Sequence, residues 1–416
     1  MTCLRMSRRY RDLLLAAITT TLLVAFGISV KAARAQEEIT AQVPPADFSF
    51  GQHITFHLQA TAPFDISAVN LFFRVQGETD TTVVPISVEP DRQIRVDYPY
   101  SLVRHYVPPF ATITYWWALY DGDGVQWPIE ERVVYYADNR YNWQSLPDQH
   151  QGISWEVYWV QGDVVFGQEA LNTARKAIEE IYQELRIPVP GVIRLFIYPG
   201  ERDLRSALNL AGYDWAGGQA RPELGAILVG IPDTLTARIE MERLIPHELT
   251  HLMVYEAAGR VARRVPSWLN EGLATLNERA PDPERQALVE QALERDELLP
   301  LGSLCAPFPV DEQAARLAYA ESASVVQYLR EKYGSQIIRD LLAAYADGAS
   351  CEAGVERVLG KSLNGLESAW RAYVTRQGQL SVVLDDSAVW LALWFLTALL
   401  TLPLVGIVRG GNRQAL

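Results

Sequence analysis

The segment LIPHELTHLM, Leu244–Met253, sets His247, Glu248 and His251 within five residues. On a helix, positions four apart lie on one face, so the two imidazoles can each turn a ring nitrogen toward a single metal ion. Glu248, adjacent on the turn, can reach a water on that ion without binding the metal itself. Two ligands and a base in this spacing are what hydrolysis by zinc-activated water needs. Histidine is scarce here, six in 416 residues, which disfavours an accident of composition. Pro246 directly precedes the first histidine; it lacks an amide proton and restricts the residue before it. The expectation is therefore that the active helix either starts there, with Pro246 in its first turn, or is kinked there. An uninterrupted helix from Ala237 through Glu256 is not expected.

A second segment, SWLNEGLATL (Ser267–Leu276), presents Glu271 after nineteen residues intervening from His251. A catalytic zinc takes three protein ligands and keeps one position open. With both segments the chain resembles the gluzincin zinc metallopeptidases, and its Trp-Leu-Asn-Glu-Gly wording is most similar to the aminopeptidase-N (M1) type and the peptidase MA-like proteins related to it. The resemblance implies an α+β thermolysin-like domain and one Zn2+ held by His247, His251 and Glu271. It also implies Glu248 as general base and a peptide or protein as substrate. Within AYAESASVVQYLREKYG (Ala318–Gly334) it implies that Tyr319 donates its hydroxyl to the oxyanion; the other reading is an amphipathic helix with Tyr319 packed in its core. Tyr328 and Tyr333 read as structural. The family aligns substrate main chain along an edge strand, expected here at Leu224–Ile231. The aminopeptidase signature Gly-x-Met-Glu-Asn, whose glutamate grips the substrate amino terminus, is absent from GGQARPELG. Aminopeptidase specificity is thus not implied, and Glu223 is not assigned that task. The likeness covers roughly residues 152–377.

Positioning these residues requires a scaffold, and the hydrophobic period supplies one. After the aromatic and polar linker ADNRYNWQSLPDQHQG, ISWEVYWVQGD reads as a strand and FGQEALNTARKAIEEIYQEL as a helix with Leu171, Ala174, Ile178, Ile181 and Leu185 on one face. GVIRLFIY is a strand, ERDLRSALNL a short helix, and GAILVGIP a further strand after a glycine-rich loop. From Leu235 to Gln377 the pattern is helical, with one irregular segment at LLPLGSLCAPFPVDE. Strands first and helices afterwards make an α+β domain, placed at residues 150–380.

Residues 36–145 have period two instead. QHITFHLQA, AVNLFFRVQ, TTVVPISVE, RQIRVDY, ATITYWWALY and ERVVYY are separated by Gly, Pro and Asp, which predicts an all-β sandwich of immunoglobulin or fibronectin type. Asp121-Gly122-Asp123-Gly124 reads as a hairpin turn in preference to a calcium loop. His53 and His57, on one side of a strand with no third ligand near in sequence, read as a solvated face.

The termini address the protein. Residues 1–35 combine an arginine cluster, an apolar run and the site Ala33-Arg34-Ala35, an export signal either cleaved or kept as an anchor. Residues 388–408 are charge-free and of membrane-spanning length, followed by Arg409 and Arg413 in a short tail, 409–416, expected on the cytoplasmic side. The expectation is a single-pass membrane protein with an extracytoplasmic body. Cys305 and Cys351 remain for that body and read as a disulfide, against two independent buried thiols. The formal net charge is −13, and the first 35 residues are net basic, so the body is more acidic still. Such a surface repels phosphate backbones, which excludes nucleic acid as partner. The rival to an enzyme is a surface binding or adhesion protein whose peptidase fold no longer turns over. No sequence feature names a protein partner for the β domain.

Overall fold

The computed structural model describes residues 39–208, 217–259, 264–280 and 282–376. The expected export signal and the expected membrane helix at 388–408 lie outside these residues. Among the described residues, no helix is long and apolar enough to cross a membrane. The chain divides into two compact units between Asp138 and Asn139.

The first unit is all β. Its strands are β1 (Thr40–Gln42), β2 (Asp47–Ser49), β3 (His53–Val75), β4 (Thr82–Ser101), β5 (Ala111–Tyr120), β6 (Gln126–Pro128) and β7 (Arg132–Tyr136). Instead of two separately bonded sheets, hydrogen bonds join all seven strands into one. The cause is the length of the β3–β4 hairpin: segments read as separate strands run together through the irregularities at Thr61/Ile66 and Ile66/Ala68, where Pro63 is tolerated. β1 and β2 pair the first half of β3, and β5 pairs the second. The halves fold onto each other, with Phe56 stacked on Phe73 at 5.7 Å and edge-on to Tyr115 at 4.9 Å. Ile54, Phe56 and Leu58 alternate inward and are buried, as are Val69, Leu71 and Phe73. Asp121 turns the β5–β6 hairpin by accepting from the amides of Asp123 and Val125. His57 lies on the outer face of β3, where its ring sits between Asp97, 2.6 Å from Nδ1, and Asp47, 2.8 Å from Nε2.

The second unit is α+β. Its strands are β8 (Gln144–His150), β9 (Ile153–Trp159), β10 (Val192–Tyr198), β11 (Gly218–Arg221) and β12 (Ala226–Gly230). They form a mixed sheet in the order β11-β12-β10-β9-β8. β8 occupies what reads as linker and pairs antiparallel with β9; the residues expected to end the β domain therefore belong to this sheet. One face buries Trp155, Val157, Ile193, Leu195, Ile227 and Val229, each side chain removed from water contributing roughly 1.5–3 kcal/mol. Two helices cover that face: α1 (Val164–Leu185), capped by Asp163, and the motif helix α3 (Ala237–Ala258). α2 (Glu201–Leu208) follows β10, and α4 (Ser267–Leu276) follows α3. α5 (Arg285–Glu294), α6 (Glu312–Tyr333), α7 (Gln336–Ala346) and α8 (Cys351–Leu359) complete the helical half. Cys305 and Cys351 form a disulfide with Cα atoms 6.1 Å apart, joining the segment before α6 to the start of α8.

Candidate metal centre

α3 runs on through Pro246, so the helix does not start at that residue. A proline inside a helix leaves the carbonyl four residues earlier without its amide partner. Here that carbonyl, of Glu242, accepts instead from the amides of Arg279 at 2.8 Å and Ala280 at 3.3 Å. The carbonyl of Pro246 itself accepts from the Thr250 hydroxyl at 2.8 Å, and Asn277 donates to that hydroxyl at 3.1 Å. The proline thus opens a backbone socket into which residues 277–280 plug.

On this helix His247 and His251 turn Nε2 to the same point. Each Nε2 lies close to one oxygen of Glu271 from α4, at 3.5 and 3.4 Å. Among the described residues these three form the one cluster of ligand atoms close enough together to hold a metal ion. Bonds of 2.0–2.1 Å arranged tetrahedrally put ligand atoms about 3.3 Å apart, so the spacing suits zinc before any ion is added. The Nδ1 atoms are held from behind: Glu278 lies 3.1 Å from that of His247, and Asn270 accepts from that of His251 at 3.1 Å. Such contacts fix the tautomer that leaves Nε2 free to ligate.

Charge completes the fit. Burial opposes a protonated His247, but Glu271 and Glu278 outweigh it and raise its pKa to about 10. Burial likewise opposes protonated His251, and Glu271 again reverses the sign, upward. Burial alone would raise Glu271, yet the two imidazoles hold it well below the usual carboxylate range. A set this rich in carboxylate calls for a cation, a role that Zn2+ would fill.

Glu248 is buried beside the set, and burial pushes its carboxyl upward. The amide of Ala220 on β11 hydrogen-bonds to it. Its other neighbour is Gly218, where a Cβ would stand 2.5 Å from Oε1; only glycine lets this strand lie against the base. Among the described residues β11 is the edge of the sheet, pairing β12 alone. The expected edge, Leu224–Ile231, is instead the interior strand β12 with β10 on its other side. Since Gly217 bonds inward to Gly230, antiparallel alternation turns the main-chain groups of Gly218 and Ala220 outward.

Tyr319 enters from α6. A Cβ on Gly272 would meet the Ser322 carbonyl at 2.4 Å, so the glycine after Glu271 is what lets α6 approach α4. The Tyr319 ring lies 6.1 Å from that of His247 and 5.0 Å from Phe308, and its hydroxyl, raised by burial, interacts with the Glu271 carboxylate. All five residues singled out from the sequence therefore meet at one place. Glu278 and Asn270 were not among them. Glu278 lies two residues past the end of α4, in the loop that plugs the Pro246 socket, so no helical spacing pointed to it.

A cavity of about 440 Å³ adjoins the centre, bounded by Gly217 and Gly218, Arg243 and Leu244, Leu288 and the first turns of α6.

Residues 173–376 match the family model of the peptidase MA superfamily. No curated protein matches the chain. Among solved structures, an M1 zinc metallopeptidase from Deinococcus radiodurans is 17% identical over 78% of this chain and 90% of that chain, with a TM-score of 0.39. OgpA from Akkermansia muciniphila is 9% identical over 25% of this chain, with a TM-score of 0.21, and the match spans only 30% of that chain.

Proposed function

Residues 173–376 belong to the peptidase MA superfamily, and from that premise we propose that the protein is a zinc-dependent peptidase with His247, His251 and Glu271 as ligands. The observation that supports this most is the convergence of both Nε2 atoms on one Glu271 oxygen, with Glu248 one position along the same helix. Zinc in such a set supplies Lewis acidity toward the scissile carbonyl and a water acidic enough to lose its proton near neutral pH. Glu248 is the residue that would accept the proton of the attacking water and pass it to the leaving amine. Tyr319 directs its hydroxyl toward the oxyanion. β11 aligns the substrate main chain through Gly218 and Ala220, as an added strand would be aligned.

The test is a comparison of purified parental protein with Glu248→Gln, measuring zinc content and cleavage of a peptide library. Both are expected to hold one zinc, and the variant to lose at least about 10²-fold in turnover. Cleavage at the parental rate by the variant would remove Glu248 from the mechanism. Zinc-loaded parental protein that cleaves nothing would favour a binding protein on a peptidase scaffold.

The location we infer is the outer face of a membrane, with residues 1–35 directing export and 388–408 as anchor. The sequence of those segments supports it, and so does the Cys305–Cys351 disulfide, a bond that persists in oxidising compartments. Protease accessibility on intact cells tests it.

A further inference from the structure

The walls of the 440 Å³ cavity combine apolar surface with charge, and the charges are unequally matched. Arg243 is bound to Glu240 at 2.7 Å, and Arg285 to Glu278 at 2.5 Å and to the Thr275 carbonyl at 3.0 Å. Arg316 is shared by Asp282 at 3.2 Å and Glu284 at 3.6 Å. Glu201, on the opposite wall, is bound to Arg205 at 3.2 Å. Glu312 lines the same cavity from the first turn of α6 and has no ion-pair partner within 4.0 Å among the described residues. At this rim Glu312 and Asp282 therefore stand against the one guanidinium of Arg316, which Glu284, outside the cavity lining, also shares.

Position relative to the scissile bond follows from Glu248. The residue on the amine side of that bond must lie beside the group that protonates its nitrogen. Leu244, one turn before Glu248 on α3, opens into the cavity together with Leu288 and Ala315. A long aliphatic stem can rest on these side chains with its charged head at the rim.

We propose that Glu312 makes this cavity a subsite for a lysine or arginine side chain on the residue following the scissile bond. The inference rests on the peptidase reading for its orientation. Glu312 also lies where a carboxylate favours the helix dipole, but the α6 cap is Asp311, which accepts from the Ala314 amide at 2.9 Å, so Glu312→Gln leaves the cap in place.

Two measurements test it. The first is binding of blocked peptides, differing only by lysine, norleucine or glutamate at that residue, to zinc-loaded Glu248→Gln with and without Glu312→Gln. Lysine is expected to bind on the order of 5–10-fold more tightly than norleucine at low salt, a margin that shrinks with added salt and is lost in the double variant. The second is the cleavage profile of parental protein against Glu312→Gln over a library varied at every position. Equal binding of the three peptides, or a lysine preference unchanged by Glu312→Gln, overturns the subsite while leaving hydrolysis untouched. Lysine-selective binding that depends on Glu312, with no cleavage by the parental protein, keeps the subsite and removes the peptidase reading.

Discussion

Glu278 couples His247 to Arg285: one carboxylate oxygen lies 3.1 Å from Nδ1 of the histidine and the other 2.5 Å from the guanidinium. The arginine anchors the carboxylate and the carboxylate orients the ring. Loss of such an orienting partner costs about 10–100-fold in metal affinity. Glu278→Ala is expected to weaken zinc binding by that factor in chelator competition while the far-ultraviolet circular dichroism stays parental. Unchanged affinity would reduce Glu278 to a surface neighbour of the site.

Gly218 stands against Glu248 with no room for a methyl group. Gly218→Ala is expected to displace the base or the strand and to lower turnover by about 10-fold or more, with zinc stoichiometry kept. Parental turnover in this variant would mean that β11 yields freely and does not position the base.

The Cys305–Cys351 bond closes a loop of 46 residues. A crosslink of that span stabilises by about 4 kcal/mol if it acts by restricting the unfolded chain. Because Phe308, which packs on Tyr319, lies within the loop, the Cys305→Ser/Cys351→Ser double variant is expected to lose both thermal stability and turnover. Thermal unfolding and peptide cleavage measured under matched conditions check the two losses together.

In the β unit, both ring nitrogens of His57 face carboxylates, so the ring must carry two protons to satisfy them. Hydrogen bonding to Asp97 raises its pKa above the ordinary value of 6.5, burial opposing and Asp47 adding to the rise. Asp97 is lowered from 3.8 in return. A raised histidine gives its full stabilisation below 6.5 and loses it as pH rises through the folded value; a lowered aspartate gives its own above 3.8 and loses it on acidification. The clasp on β2 is thus complete between those limits. Amide exchange across residues 47–57 is expected to quicken on either side of that window, and to be uniformly faster in His57→Gln. Exchange that follows only the intrinsic pH dependence would show the clasp to be idle.

Much of the catalytic unit was legible because its chemistry and its periodicity coincide. His247 and His251 share a helix face by spacing alone, and Leu171 to Leu185 mark α1 as plainly. β11 was not legible: four residues, GQAR, have no apolar alternation, and their role comes from lying beside Glu248. The continuity of α3 was hidden for a similar reason, since the donors that satisfy Glu242 come from Arg279 and Ala280, more than thirty residues on. The long hairpin of the β unit escaped notice because bulges interrupt the period that separate strands were read from.

The socket at Pro246 has a consequence for mutation. Its acceptor and both donors are main-chain atoms, so replacing the side chains of Glu242, Arg279 or Ala280 leaves the two hydrogen bonds in place, and what is lost is the ion pairing of Arg279 with Glu242 at 2.8 Å and with Glu180 at 3.1 Å. A change at Pro246 is different. Any other residue there restores the helix amide, which then competes for the Glu242 carbonyl and displaces the segment that carries Glu278. The vulnerability of the centre to substitution in this region is therefore concentrated in one residue that contacts neither metal nor substrate.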